Sequence, residues 1–163
     1  MSNEKEARFE SLLSQHKGIL YKVARSYSYC LEDQRDLVQD ITLQLWRSFD
    51  SYDPDLKLST WVYRVAMNTA ISFLRSDSIR KKYHITTDVM LIDEPQENGN
   101  EELMLEIQRM LQRLNKFDRA MFIMYSDGLD YAAISDVLKI SASNVGTRVS
   151  RIKQQLNKEF FNR

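Results

Sequence analysis

Residues Asp130–Ile152 read DYAAISDVLKISASNVGTRVSRI, and the apolar spacing predicts two helices joined by a tight connection at Lys139–Ser141. Ile134, Val137, Leu138 and Ile140 fill the space between the helices, and Ala133 is small where they cross. In the second helix Val145, Val149, Ile152 and Leu156 recur at i, i+4, i+7 and i+11, the stripe of one buried helical face. Ser143, Asn144, Thr147, Arg148 and Arg151 are left on the outward side. This is the pattern of a helix-turn-helix, whose second helix enters the DNA major groove and meets base edges and phosphates. Ser141 is placed to cap that helix, where backbone N–H groups also attract phosphate. Lys153, Lys158 and Arg163 extend the cationic surface. The bland alternative is an amphipathic hairpin with a solvated basic face.

Working back from this pair, helical pattern resumes at about Glu101, with Leu103, Ile107, Met110, Leu111 and Leu114 in one stripe. A short helix over about Asp118–Tyr125 would bury Met121 and Phe122, and Gly128 sits where a left-handed cap is expected. In the first half, Phe9–Tyr27 forms one helix, which Gly18 is expected to bend or divide. A second helix spans about Asp33–Phe49, with Leu37, Val38, Ile41, Leu45, Trp46 and Phe49 as its stripe. Pro54 disfavours helix in the residue before it. A third helix starts near Ser59, capped by Ser59 or Thr60, and buries Val62, Val65, Ala66, Thr69, Ala70, Phe73 and Leu74. Residues 84–100 lose periodicity and contain the acidic, turn-rich run DEPQENGN from Asp93, which reads as an exposed linker. The expected organisation is all-α, with one small domain over 1–83, a linker over 84–100 and a second domain over 101–163.

Composition agrees with this class. The 163 residues include only 4 Gly and 2 Pro, and 43% are hydrophobic, enough for packed cores. Net charge is zero, but it is segregated along the chain. Segments 57–82 and 139–163 each carry +5, segment 31–55 carries −5, and segment 86–106 holds seven anions and no cation. Two basic segments separated by acidic ones suggest two anion-contacting surfaces. The single Cys30 excludes an internal disulfide, and one thiol with two distant histidines makes no usual zinc site. No apolar run reaches a membrane span, and the N-terminus lacks a signal-peptide core. These features predict a protein of the reducing cytoplasm without membrane insertion.

Enzyme readings find little to hold. His16 and His84 have no acid partner at diagnostic spacing, and no phosphate loop, zinc-protease motif or nucleophile elbow is present. Asp36 and Asp40 share a helical face but read as solvated acids rather than metal ligands. No catalytic residue, metal or cofactor is expected.

Two other constellations read as contact surfaces. On the second helix, Asp36, Gln39, Asp40, Gln44 and Arg47 remain free for an outside partner, and the local acidity suits a basic protein surface. The segment from Tyr52 to Arg75 combines aromatics and cations, as single-stranded DNA binding requires. Lys57, Arg64, Asn68 and Arg75 are candidates for backbone or base contacts. Trp61 and Tyr63 divide between core packing and base stacking, and Arg80, Lys81 and Lys82 between phosphate contact and a solvated run.

These stretches resemble a known family. Leu114–Leu156, with Phe117–Phe122, Tyr125, the run Asp127–Tyr131, Ile134, Ile140, Ser141, Val145, Arg148 and Arg151, is similar to region 4 of sigma factors. DLVQDITLQLWRSF (Asp36–Phe49), Tyr52-Asp53-Pro54 and STWVYRVAMNTAISFLR (Ser59–Arg75) resemble sigma region 2, in the short form of the extracytoplasmic-function (ECF) group. Two positions depart from the family: Lys139 stands where Gly is usual in the turn, and Gly146 where a cation often follows the Val. The resemblance implies a subunit that binds the core RNA polymerase, reads the −10 and −35 promoter elements and promotes strand opening. It implies polymerase contacts at Asp36, Gln39, Asp40, Gln44 and Arg47, and −10 contacts at Tyr52, Lys57, Trp61, Arg64, Asn68 and Arg75. In this reading the Tyr52–Leu58 loop captures a flipped base. The −35 contacts would be Ser141, Ser143, Asn144, Thr147, Arg148 and Arg151. An anti-sigma partner is also implied. The competing expectations are a helix-turn-helix regulator whose first half dimerises or binds a protein, and a helical adapter without nucleic acid.

Overall fold

Cys30 opens the second helix by accepting the Asp33 N–H at Sγ, 3.4 Å away, while its carbonyl accepts the Gln34 N–H at 3.0 Å. This end is one of several that hydrogen bonding, rather than apolar spacing, fixes in the computed structural model of the chain. The structure describes the backbone of residues 2–81 and 101–161, and the side chains of 3–74, 102–103 and 105–159. The expected linker and Lys82 lie outside the described residues, as do the side chains of Arg75, Arg80 and Lys81. Among the described residues the secondary structure is helical throughout. Contacts group the chain into two units, Met1–Asp93 and Glu94–Arg163.

The first unit is a bundle of α1 (Ser2–Tyr27), α2 (Leu31–Ser48) and α3 (Leu58–Lys81), with a 3-10 turn at Phe49–Ser51. Each helix packs on the other two. Helix α1 buries Phe9, Leu12, Leu20, Val23, Ala24 and Tyr27. It starts well before its apolar stripe because Lys5 and Arg8 have work to do against α2 and the turn that follows it. The Lys5 ammonium pairs with Asp50 at 2.6 Å and lies 4.4 Å from the Trp46 ring. The Arg8 guanidinium sits 5.7 Å from the Phe49 ring. Long cationic side chains thus cover aromatic surface while keeping their charge at the water boundary.

The expected break at Gly18 is absent: α1 runs through it, and a Cβ added there would meet nothing within 4 Å. Buried Leu12 and Leu20 on either side carry the helix across the weak position. Gly18→Ala should therefore raise thermal stability by about 0.5–1 kcal/mol; a lower melting temperature would refute the open geometry.

On α2, Leu37, Ile41 and Leu45 form the buried row at i, i+4 and i+8. Trp46 is one residue off that row. It is a half-buried rim residue set edge-on to Phe9, with ring centres 5.0 Å apart, rather than the interior residue its hydrophobicity suggested. Helix α3 begins at Leu58, so Ser59 and Thr60 lie inside its first turn and do not form its boundary. Its buried residues are Thr60, Trp61, Val62, Tyr63, Ala66, Met67, Ala70 and Ile71. The expected Val65, Thr69, Phe73 and Leu74 are only half-buried. A single stripe was the wrong template, because α3 buries a broader, rotated sector that takes in Trp61, Val62 and Tyr63 together.

The second unit comprises α4 (Glu101–Arg113), α5 (Lys116–Ser126), α6 (Tyr131–Leu138) and α7 (Ala142–Phe161). Helix α5 starts two residues earlier than expected because Asn115 caps it, Oδ1 accepting the N–H groups of Phe117 (3.1 Å) and Asp118 (2.9 Å). Its core residues are Ala120, Met121, Ile123 and Met124, whereas Phe122 is half-buried. Gly128 takes the expected left-handed conformation, φ +85. Asp130 caps α6 through the Ala133 N–H at 2.8 Å. Ile134 and Val137 of α6 and Val145, Val149, Ile152 and Leu156 of α7 are buried as the spacing predicted.

Buried Arg119 ties α5 to the end of α4. Its Nε donates to the Leu111 carbonyl at 2.8 Å, and Nη2 donates to those of Gln112 and Leu114, each at 3.1 Å. The last carbonyls of a helix lack intrahelical partners, and here a guanidinium supplies them.

Candidate functional site

Because Leu37, Ile41 and Leu45 turn one side of α2 inward, Asp36, Gln39, Asp40, Leu43, Gln44 and Arg47 share the outward side. All six line an open groove of about 840 Å³, whose other wall is formed by Val65, Asn68, Thr69, Ser72 and Phe73 of α3. The five residues assigned from sequence to an outside protein thus line one groove. Asn68, assigned to DNA, lines it too. Leu43 is exposed, and with Val65 and Phe73 it gives the groove an apolar component. Among the described residues neither Asp36 nor Asp40 has an ion-pair partner. The Thr69 and Ser48 hydroxyls are turned back to the carbonyls of Val65 (2.7 Å) and Gln44 (2.6 Å). The groove therefore presents two carboxylates without an ion-pair partner among the described residues, beside apolar surface, which suits a partner with basic and apolar side chains.

The connection before α3 is a formed turn. The Tyr52 hydroxyl donates to the Leu56 carbonyl at 2.5 Å, the Asp53 side chain accepts the Asp55 N–H at 3.0 Å, and the Leu56 N–H reaches the Asp53 carbonyl at 3.0 Å. Beneath it lies Trp61, 5.2 Å from the Tyr52 ring and 6.5 Å from Phe49. Trp61 is only 5% exposed, so it has no free face for a base. Its assignment to DNA contact is corrected to support of the turn. Tyr63 resolves to the core in the same way. Lys57 stands exposed at the end of the turn, Arg64 is half-buried, and Arg75 lies outside the described side chains.

In the helix-turn-helix, the Ser141 hydroxyl accepts the Asn144 N–H at 3.1 Å and so caps α7 as expected. Ser141, Ser143, Asn144, Thr147 and Arg151 are exposed along α7, with the Thr147 hydroxyl donating to the Ser143 carbonyl at 3.1 Å. Arg148 differs: it is half-buried, and its Nη1 lies 3.3 Å from Asp118 Oδ1. Periodicity gave no sign of that partner, which lies 30 positions away. Lys153 also has a local partner. It donates to the Tyr125 hydroxyl and lies 4.3 Å from that ring, and the hydrogen bond holds its pKa above the ordinary value.

The two family departures acquire structural meaning. Lys139 occupies the left-handed region, φ 59 and ψ 42, where a Cβ is unfavourable. The Ser135 hydroxyl closes the turn by donating to the Ile140 carbonyl at 2.5 Å. Lys139→Gly is expected to raise the stability of this unit by about 1 kcal/mol, read by denaturant unfolding; no gain would mean that the lysine makes compensating contacts. At Gly146, an added Cβ would lie 3.2 Å from Cε2 of Tyr131. The missing side chain on α7 thus makes room for the ring at the start of α6.

The described residues thus combine a helix-turn-helix unit with a three-helix unit bearing a groove lined by two carboxylates. Residues 12–79 match the family model of Sigma-70 region 2, and residues 104–156 match that of Sigma-70, region 4. The chain is 27% identical over 156 residues to the RNA polymerase sigma factor NccH of Alcaligenes xylosoxydans xylosoxydans, covering 91% of this chain and 84% of that protein. It is 24% identical over 169 residues to the ECF RNA polymerase sigma factor SigW of Bacillus subtilis, covering 93% and 88%. Its fold is similar to that of the sigma factor RpoE solved with the anti-sigma factor NepR from Bartonella quintana. That match has a TM-score of 0.76 at 20% identity and covers 93% of this chain and 95% of the other. The chain belongs to the sigma-70 family, in its ECF group of RNA polymerase sigma factors.

Proposed function

We propose that this sigma factor divides its work between the two units. The α2–α3 groove holds a basic surface of the core polymerase through Asp36, Gln39, Asp40, Gln44 and Arg47. The turn at Tyr52–Leu58, with Lys57, Arg64, Asn68 and Arg75, receives the −10 element, and Tyr52 frames the turn while Trp61 supports it. Ser141, Ser143, Asn144, Thr147, Arg148 and Arg151 meet the −35 element from the cap and outward side of α7. Strand opening then draws on binding energy directed to the melted state, with no covalent chemistry by the protein. Residues 1–83 and 101–163 act as the two domains, joined by 84–100.

The observation that carries the reading is that one groove gathers all five residues assigned to polymerase, with two carboxylates that have no ion-pair partner among the described residues. A dimeric regulator on palindromic DNA is not favoured, since the region 2 match spans 12–79. Work in the cytoplasm follows from the role, and among the described residues no helix is long and apolar enough to cross a membrane. An anti-sigma partner is part of the proposal, in keeping with the RpoE–NepR complex. The test is run-off transcription with purified core polymerase and a genomic promoter library. Discrete start sites dependent on the chain are expected; absence of any specific start site would overturn the assignment.

A further inference from the structure

Arg148 on α7 is assigned to DNA, yet a carboxylate lies against it. Asp118 Oδ1 is 3.3 Å from Arg148 Nη1, and Asp118 Oδ2 accepts the Asn115 Nδ2–H at 2.7 Å. Asn115 is itself fixed, because its other side-chain atom caps α5. Both oxygens of Asp118 are therefore engaged, and the guanidinium is referenced to the first turn of a packed helix. The Arg148 side chain remains 38% exposed and that of Asp118 24%.

For raw affinity this arrangement is unfavourable. An anion beside a cation that faces polyanionic DNA weakens the attraction every phosphate feels. Fold stability accounts for a carboxylate in the first turn of α5, beside its cap, but gives little reason for the guanidinium to be held against it. A partly exposed ion pair contributes little, and α5 already packs on α7 through its buried residues. Discrimination does give a reason. An arginine on a free stem follows any phosphate, whereas one held in a fixed direction is effective only where the DNA offers acceptors in the matching place.

We propose that Asp118 is a positioning residue that sets the sequence selectivity of α7 by restraining Arg148. The proposal rests on the reading of α7 as the −35 contact.

The test uses the full chain assembled with core polymerase. The probes are a promoter selected by the wild-type holoenzyme from a random upstream library, and the same DNA with only the upstream element scrambled. For Asp118→Asn, binding to the scrambled probe should tighten several-fold, and preference for the selected probe should fall about tenfold. The slope of log affinity against log salt should steepen by about one, as for one freed phosphate contact. Asp118→Glu should recover part of the preference. Arg148→Ala should remove the effect, so that the double variant matches Arg148→Ala alone. Equal weakening on both probes, or unchanged preference and slope, would overturn the positioning role and leave Asp118 structural or idle. If the wild-type holoenzyme shows no preference for any upstream element, the −35 reading itself fails and the proposal with it.

Discussion

Arg119→Met is expected to destabilise the second unit by about 3 kcal/mol. Arg119 is 4% exposed and donates to three carbonyls at the end of α4. Hydrogen bonds from a charged donor contribute about 1.5–3 kcal/mol each, and orphaned buried acceptors add their own penalty. Water reaching part of the site after the substitution keeps the sum below the simple total. A domain of this size has only about 0.05–0.15 kcal/mol of stability per residue, so the loss is at least about a third of what the unit has. At roughly 4–8 °C per kcal/mol, its melting transition should fall by about 12–24 °C, while the first unit melts unchanged. Hydrogen exchange resolved by segment would read the two units separately. Arg119→Lys should recover only part of the loss, because an ammonium lacks the planar fork that serves Leu111, Gln112 and Leu114 together. A melting temperature within a few degrees of wild type for Arg119→Met would show that the α4 carbonyls are satisfied some other way.

Arg119 also marks a boundary of what the sequence makes legible. Where the buried face of a helix is one narrow row, the spacing of apolar residues suffices: Val145, Val149, Ile152 and Leu156 were placed correctly, and so were Leu37, Ile41 and Leu45. Helix α3 buries a broader sector, with Trp61, Val62 and Tyr63 in succession, and a single-stripe template misplaced it by about one residue. Helix ends were less legible, since Cys30 is a weak acceptor rarely chosen as a cap, and the α4 end depends on a side chain from the next helix. For the candidate site, the polar row of α2 could be read as free surface because its opposite face was plainly apolar. That Asn68 and Thr69 form the facing wall, that Trp61 lies under a turn, and that Asp118 reaches Arg148 are tertiary facts with no periodic trace.

Asp36→Lys with Asp40→Lys is expected to weaken association with core polymerase by at least about a hundredfold while leaving the fold intact. Both residues are exposed on α2, neither has an ion-pair partner among the described residues, and both line the groove. Lysine is at least as good a helix former as aspartate, so the bundle loses nothing. As a pair of like charges at i and i+4, the two aspartates slightly oppose their own helix, a burden that packing of the bundle does not explain and a basic partner would. Reversal puts two cations where two anions stood, and like charges facing each other across an interface are strongly unfavourable. Salt separates this from a general loss of contact. Wild-type association should weaken as ionic strength rises and the Debye length shrinks toward roughly 3 Å at 1 M, whereas the double variant should be less salt-sensitive or improve. Leu43→Ala, which removes exposed apolar surface from the same groove, should weaken binding with the wild-type salt dependence retained. If the double variant captured core polymerase as well as wild type, the groove would not be the docking surface, and the acidic row of α2 would revert to solvated charge.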